Sequence, residues 1–209
     1  MELPLPPEGY PIPLRLTTVP AGTAWLRIQR CHHSTALYWG REEPGRWNDP
    51  DGHFGVLYVS ENVEAAFAET FGRDLMATHA PASVKFLSCQ ELGERCLSRL
   101  CAEQDLRLVD FTGPVLQALN LDARLLHTCD ALEVCQHWSR WLHGAPEQPD
   151  GVIYPSRLFP GSRNLAVFER CRLHWQEEPL GNLLSWPDAN GQPAVYQILD
   201  DQGWGLVDG

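Results

Sequence analysis

The chain lacks the features of several large protein classes. No apolar run approaches the roughly 18 to 20 residues that a membrane helix needs. No GxGxxG motif follows a predicted strand, which disfavours a Rossmann site. The cysteines form no CxxC pair, and the segment Cys31-His32-His33 is too short to hold one ion without other ligands. The sequence therefore predicts neither a membrane span nor a metal site.

Positive charge is also scarce. The chain has 16 Lys and Arg against 27 Asp and Glu, a formal net charge of -11. Because proteins bind nucleic acid mainly by neutralising phosphates with Lys and Arg, direct binding to nucleic acid is not expected. A basic protein surface is the more natural macromolecular partner. A small anion can still be held, since local arginine geometry decides that.

The N-terminal residues lack the basic and apolar regions of a signal peptide, so we expect a cytoplasmic protein. The seven cysteines are an odd number for a protein in a reducing compartment. We therefore expect no complete disulfide framework, and we interpret most of the cysteines as ordinary buried thiols.

The 209 residues, of which 44% are hydrophobic, are sufficient for one large domain with a full core. Local patterns predict strands at 23–29, 55–60, 83–87, 106–111, 151–154 and 164–168. They predict helices from an N-cap at Ser60 to about His79, and at 90–103, 114–121 and 129–143, the last ended by Gly144. Residues 195–199 fit a strand or a helix. Without regular βαβ alternation, this order predicts a mixed α+β domain.

Glu69 does not share the apolar stripe of the first predicted helix. Its helical neighbours are Ala65, Ala66 and Gly72, all of them small. Since residues three and four apart are neighbours on a helix, we expect the carboxylate to stand where a ligand can approach.

Five polar residues occur in short, unusual local sequences. Arg27 lies in WLRI, Arg46 in GRWN, Tyr58 in LYVS, Glu69 in AETF and Ser156 in YPSR. In this order and with these flanks they resemble the RES domain, a family named for its Arg, Glu and Ser. The resemblance runs from about Ala24 to Glu169 and implies an ADP-ribosyltransferase-like fold, with two small packed sheets and surrounding helices. We accordingly predict a proline-rich arm at 1–22, a RES domain at 23–170 and a C-terminal extension at 171–209.

RES proteins are NAD-consuming toxins of bacterial toxin–antitoxin pairs, and the resemblance implies the same activity here. NAD is then a substrate rather than a resident cofactor, with water or inorganic phosphate accepting ADP-ribose. The implied partner is an Xre-like helix-turn-helix antitoxin. Two alternatives stay open: an ADP-ribosyltransferase that modifies a protein side chain, and a binding module that holds a nucleotide or a partner without turnover.

The resemblance also implies residue roles. Breaking the bond between nicotinamide and ribose develops positive charge on the sugar, so the site needs a nearby carboxylate and groups for the diphosphate. The expected catalytic residues are Glu69, Arg27 and Ser156. The expected NAD-binding residues are Arg27, Arg46, Tyr58, Ser156 and Arg157. Trp47, Asn48 and Asn164 adjoin these motifs, and we interpret them as residues that shape loops.

Overall fold

The structure, a computed structural model, describes residues 3–41, 45–72, 85–128, 131–187, 191 and 194–208. In these ranges the strands are β1 Leu16–Val19, β2 Ala24–Arg30, β3 Val56–Ser60, β4 Lys85–Ser88, β5 Arg95–Ala102, β6 Leu106–Asp110, β7 Gly151–Pro155, β8 Arg163–Phe168, β9 Trp175–Asn182 and β10 Trp204–Val207. The α-helices are α1 Val63–Phe71, α2 Cys89–Gly93, α3 Val115–Ala118, α4 Arg124–His127, α5 Leu132–His143 and α6 Ala194–Asp201. None of the described helices is long and apolar enough to cross a membrane.

Eight strands form one sheet in the order β1-β6-β7-β8-β3-β2-β5-β9, and β10 pairs with β4 in a second, two-stranded sheet. The mixed α+β class is confirmed, although the two sheets differ greatly in size. Within the large sheet, β3 pairs with β8 along its whole length, but β3 and β2 share the single pair Leu26–Ser60. The large sheet therefore consists of a five-strand part and a three-strand part that are joined at one point.

The two faces of the large sheet carry different cores. Leu57 and Val59 of β3 belong to one cluster, which also contains Trp25, Leu100 and Leu165. The opposite face carries two clusters. One lies beneath α4 and α5, and the other lies beneath α1 and α6. Since successive side chains of a strand alternate between faces, Tyr58 and Ser60 point to the face that carries the helices.

Helix α1 begins later than the sequence predicted. Asn62, not Ser60, is the N-cap, and its side-chain oxygen accepts a hydrogen bond from the backbone N–H of Ala65. Ser60 is the last residue of β3, where it pairs with Leu26 and Asn164, and this pairing keeps it in the sheet. The helix ends at Phe71, and residues 73–79 of the predicted helix lie outside the described part.

The predicted helix at 90–103 is wrong for most of its length. Only residues 89–93 are helical, and 95–102 form β5, which pairs with β2 on one side and with β9 on the other. Hydrogen bonds to two neighbouring strands outweigh the local helical pattern, as is common for central strands. The pairing of β5 with β9 shifts register between Leu97 and Ser98, where Leu180 of β9 is the extra residue.

The other predicted elements agree with the structure to within a few residues. Helix α5 ends at His143, and the N–H of Gly144 donates to Arg140 O. The ambiguous segment at 195–199 lies in α6. Strand β9 extends the large sheet with residues that we assigned to the C-terminal extension, and the proposed domain boundaries stay a prediction.

The cysteines differ in part from the expectation of buried thiols. Cys31 and Cys96 form a disulfide, because the antiparallel pairing of β2 with β5 places Gln29 opposite Cys96 and brings the two Cα atoms to 4.9 Å. Cys89, Cys101, Cys135 and Cys171 are free.

Candidate active site

Glu69 is the centre of a polar cluster on the helix-bearing face of the sheet. Its Oε1 accepts hydrogen bonds from Ser156 Oγ at 2.8 Å and from Asn164 Nδ2 at 3.0 Å. The serine and the asparagine are 1% and 2% exposed, whereas Glu69 is only half-buried. No side chain or backbone N–H in the described part of the chain donates to Oε2. One carboxylate oxygen is thus fixed, and the other remains available to a ligand.

The hydroxyl of Ser156 has a defined direction. It accepts a hydrogen bond from the backbone N–H of Phe159 at 3.0 Å, so its single proton is directed to Glu69. The backbone N–H of Ser156 donates to Ser162 O at 2.8 Å, which closes the loop from 156 to 162. This loop holds the hydroxyl against the carboxylate.

The same loop is attached to the N-terminus of α1. The Asn62 side chain caps the helix with its oxygen and donates from Nδ2 to Ser162 Oγ at 2.6 Å. Helix α1 therefore contacts the loop at two places, through Asn62 and, two turns later, through Glu69. The small residues Ala65 and Ala66 are buried against the sheet. These contacts fix the position of the carboxylate relative to Ser156.

Tyr58 comes two residues before Ser60 in β3 and lies on the same face of the sheet. The two Cα atoms are about 6 to 7 Å apart. Its hydroxyl accepts a hydrogen bond from Trp47 N at 2.9 Å and donates to Asn48 Oδ1 at 2.8 Å. A Cβ atom at Gly45 would lie 2.5 Å from this hydroxyl, so only glycine permits the close approach. The sequence from Gly45 to Asn48 is therefore a support for the Tyr58 ring.

The structure places Arg46 in a different set of contacts. Its Nη1 donates to Leu125 O at 2.7 Å and to Cys135 Sγ at 3.4 Å, and its Nη2 donates to Thr128 O at 2.9 Å. The guanidinium thus joins the end of α4 to α5. Burial raises the pKa of the Cys135 thiol, and the nearby charge of Arg46 opposes that shift only in part.

Arg27 lies directly after the point where β2 and β3 are joined. Its neighbours Leu26 and Ile28 pack in the cluster beneath α1, so strand alternation directs Arg27 to the other face of β2. Its Nη1 donates to Tyr38 O at 3.1 Å. Arg157 follows Ser156 in the loop and is half-buried. The structure therefore brings Ser156 to Glu69, places Tyr58 on the same face, and puts Arg27 and Arg46 in separate contact networks.

Asn164 is the residue that sequence reasoning undervalued, because we interpreted it as shaping a loop. It lies in β8, paired with Ser60 on one side and with Tyr154 on the other. The sequence signal was an amide in front of the apolar run Leu165 to Phe168, where a side chain in a central strand is expected to be buried.

Other polar clusters are poorer candidates. A cavity of about 340 Å³ is lined by Asp105, Asp150, Arg170 and Cys171, among others. Asp150 accepts from Cys171 Sγ and from a backbone N–H, and Asp105 accepts from Ala21 N. Burial, with the hydrogen bond to Asp150, raises the pKa of Cys171, so this thiol is a weak nucleophile. In the described ranges, no group of three or more His, Cys, Asp and Glu side chains can hold a metal ion.

The RES domain sequence profile matches residues 24–184, more than half of the chain. The chain belongs to the RES domain family. The match contains every predicted site residue of this RES protein. It extends beyond our predicted RES domain to include β9.

One curated relative agrees with this assignment, and one solved structure has a similar fold. The probable toxin y4kH of Sinorhizobium fredii (strain NBRC 101917 / NGR234) is 44% identical over 71 residues, which are 33% of this chain and 50% of that protein. The match thus spans about half the length of this curated relative. The crystal structure of the M. tuberculosis MbcT–MbcA toxin–antitoxin complex contains a chain that superposes with a TM-score of 0.57 at 22% identity. That match covers 88% of this RES protein and 92% of that chain, and it supports the fold.

Proposed function

We propose that this RES protein is the toxin of a toxin–antitoxin pair and that it degrades NAD by cleaving the bond between nicotinamide and ribose. The observation that carries the proposal is the half-satisfied carboxylate of Glu69, held by Ser156 and Asn164 in a member of the RES family. The name of the Sinorhizobium relative and the complex that contains the structural neighbour support the toxin role.

In the proposed reaction the bond between C1″ of the ribose and the nicotinamide nitrogen breaks, and its electron pair leaves with the ring. The leaving nicotinamide becomes neutral while the ribose becomes an oxocarbenium ion. Glu69 Oε2 stabilises this cation, because a fixed negative charge aimed at developing positive charge acts mainly in the transition state. Water or inorganic phosphate then adds to C1″, and a water nucleophile loses a proton to the carboxylate or to solvent.

The remaining residues bind and orient NAD in this proposal. The Tyr58 hydroxyl is held by Trp47 and Asn48, so the aromatic ring is the part that can stack on nicotinamide. The family motif assigns the diphosphate contacts to Arg27 and Arg157 through charge-assisted hydrogen bonds. For Arg27 this assignment rests on the motif, because its side chain is directed to the face of β2 opposite to α1. Arg46 already donates to three protein acceptors, so we assign it a supporting role rather than a phosphate contact.

The partner in this proposal is an Xre-like helix-turn-helix antitoxin that covers the NAD site. The charge of -11 favours association with a basic, DNA-binding protein, and that protein rather than the toxin would contact DNA. Co-expression with the adjacent gene product, followed by an NAD-consumption assay on the purified complex, tests this. We expect the complex to be inactive, and full activity in a stable complex would contradict occlusion of the site.

The activity itself is tested by incubating the purified chain with NAD alone, with and without inorganic phosphate. We expect bulk release of nicotinamide, with free ADP-ribose or ADP-ribose-1″-phosphate as the second product. Turnover that requires an added protein would instead indicate an ADP-ribosyltransferase. Binding of NAD without release of nicotinamide would indicate a binding module. In cells, expression without the partner is expected to lower NAD and stop growth.

A further inference from the structure

Asn164 has the features of a residue retained for a purpose other than stability. It is 2% exposed, and its Oδ1 is buried without a hydrogen-bond partner among the described residues. A buried, unpaired amide oxygen costs stability, and an apolar side chain of similar size would avoid that cost. Asn164 is followed in β8 by the buried apolar residues Leu165 to Phe168. An apolar side chain at position 164 would continue this run, so the strand itself does not require an amide there.

The orientation of this amide is determined by Glu69. Its Nδ2 donates to Glu69 Oε1 at 3.0 Å. Turning the amide over would direct its oxygen at the carboxylate, where both groups are acceptors, and would leave a buried N–H₂ group without that acceptor. The unpaired Oδ1 is therefore the consequence of the contact between Nδ2 and Glu69.

Ser156 and Asn164 both donate to the same carboxylate oxygen. The hydroxyl comes from the loop that follows β7, and the amide comes from the neighbouring strand β8, so the two donors approach Oε1 from different elements. Two donors on one oxygen fix the rotation of the carboxylate about its terminal torsion, which one donor alone does not. The second oxygen then has a defined direction.

We propose that Asn164 is a positioning residue that acts through Glu69: it fixes the rotation of the carboxylate so that Oε2 faces the ribose of the substrate. This inference rests on the proposed function, because the carboxylate needs a fixed direction only if it acts on a reacting sugar. Asn164 itself does not touch the substrate. Its replacement is expected to lower kcat and to leave KM nearly unchanged.

The first arm of the test measures the contact without using activity. Asn164→Asp places a second carboxyl group against Glu69 Oε1, and two adjacent carboxylates repel each other when both are ionised. We expect the melting temperature to fall by about 3 °C or more at pH 8, and by much less at pH 5, where the pair can share a proton. In a Glu69→Gln background the same substitution is expected to lose most of this pH dependence. An equal loss in both backgrounds would overturn the inference.

The second arm measures nicotinamide release by the purified chain. Asn164→Leu is expected to keep or raise the melting temperature and to lower kcat by about 10- to 100-fold. Asn164→Asp is expected to recover activity as the pH falls, because a protonated carboxyl group can donate to Oε1 in place of the amide, whereas Asn164→Leu does not recover. Full kcat in Asn164→Leu would overturn the positioning role.

Asn182→Leu is the matched control. Asn182 donates from Nδ2 to Gly93 O and accepts from Leu184 N, so both ends of its amide are used, at a place outside the candidate site. Its replacement is expected to lower the melting temperature and to leave turnover per folded molecule unchanged. If the wild-type chain did not release nicotinamide but the stability coupling between Asn164 and Glu69 were present, the proposed function would fail while the contact would be established.

Discussion

Two serine–glutamate pairs in this RES protein differ in how completely the carboxylate is satisfied. Ser98 donates to Glu177 Oε1 at 3.2 Å, and Ser156 donates to Glu69 Oε1 at 2.8 Å. Both serines are 1% exposed, and both glutamates are half-buried. Glu177, however, also accepts from Ala36 N on Oε1 and from Thr35 Oγ1 on Oε2. Each oxygen of Glu177 has a donor, whereas Glu69 keeps one oxygen without a donor from the described residues.

In the proposed function, this difference separates a structural carboxylate, Glu177, from a reacting one, Glu69. Glu177 uses its hydrogen-bonding capacity to hold residues 35 and 36, and the following Leu37 and Trp39 pack on the core. The segment then pairs with β3 through Gly40 and Val56. Glu69 Oε2 has no donor among the described residues and is not a buried, unpaired atom, so it is open to solvent or to a ligand. In the proposed function, this open oxygen faces the developing positive charge of the transition state.

The largest expected contrast is between the two serines. Ser156→Ala removes a donor that orients the Glu69 carboxylate, so we expect nicotinamide release to fall by about 100-fold. It also removes the acceptor of the Phe159 N–H, so we expect a loss of about 1 to 2 kcal/mol in the free energy of unfolding. Ser98→Ala removes one of three hydrogen bonds to Glu177, so we expect a loss of about 1 kcal/mol in the free energy of unfolding and unchanged turnover. Denaturant melts together with initial rates measure both quantities. An equal loss of activity in Ser156→Ala and Ser98→Ala would contradict a special role for the pair Ser156 and Glu69.

The comparison extends to Arg46, whose donors are committed to protein acceptors. Arg46→Ala removes the donor to Thr128 O and leaves Leu125 O with the Cys135 thiol as its donor, so we expect it to destabilise the fold by about 1 to 3 kcal/mol. Arg99→Ala, which removes an exposed ion pair with Glu178, is the control and is expected to cost at most about 1 kcal/mol. Urea titration measures both. If Arg46→Ala kept its stability but bound NAD more weakly, Arg46 would be a phosphate-binding residue, as the family motif implies.

The smallest expected effect is the loss of thermal stability at low pH. We expect it to come from Asp49 and His143, which lie outside the candidate site. Burial opposes ionisation of Asp49, but hydrogen bonds from Arg140 and from backbone N–H groups prevail and lower its pKa to about 2. Burial, with the charge of Arg170, lowers the pKa of His143 to about 4. Both pKa values are depressed in the folded state, so each contribution is complete above the ordinary pKa of its group and is lost below it.

We therefore expect the melting temperature to fall in two pH ranges. The first, from about 6.5 to 4, belongs to His143, and the second, from about 4 to 2, belongs to Asp49. His143→Phe, which keeps an aromatic ring against Phe54, is expected to remove the first decline. Persistence of that decline in the variant would assign it to another group.

The motif residues could be predicted from the sequence, but their contacts could not. The order of Arg27, Glu69 and Ser156 indicated the family, and the off-stripe position of Glu69 indicated a residue not needed for the core. The second donor, Asn164, depends on the register between β8 and its neighbours, which no local pattern specifies. The role of Arg46 depends on where α4 ends relative to the loop, a tertiary relation between residues about 80 apart.

Errors in the secondary structure have the same origin. Strand β5 resembles a helix locally and becomes a strand because it lies between β2 and β9. The disulfide between Cys31 and Cys96 follows from that pairing as well. Where local and tertiary preferences agree, as at α5 and β3, the predicted and observed elements nearly coincide.

The most direct test of the central claim compares Glu69→Gln with Glu177→Gln in one assay, the time course of nicotinamide release from NAD at neutral pH. Each substitution keeps the side-chain length and removes the negative charge. We predict that Glu69→Gln lowers the rate by at least about 100-fold in a normally folded protein. We predict that Glu177→Gln keeps the rate per folded molecule but lowers the melting temperature. Turnover by Glu69→Gln at the wild-type rate would contradict the assignment of Glu69 as the reacting carboxylate.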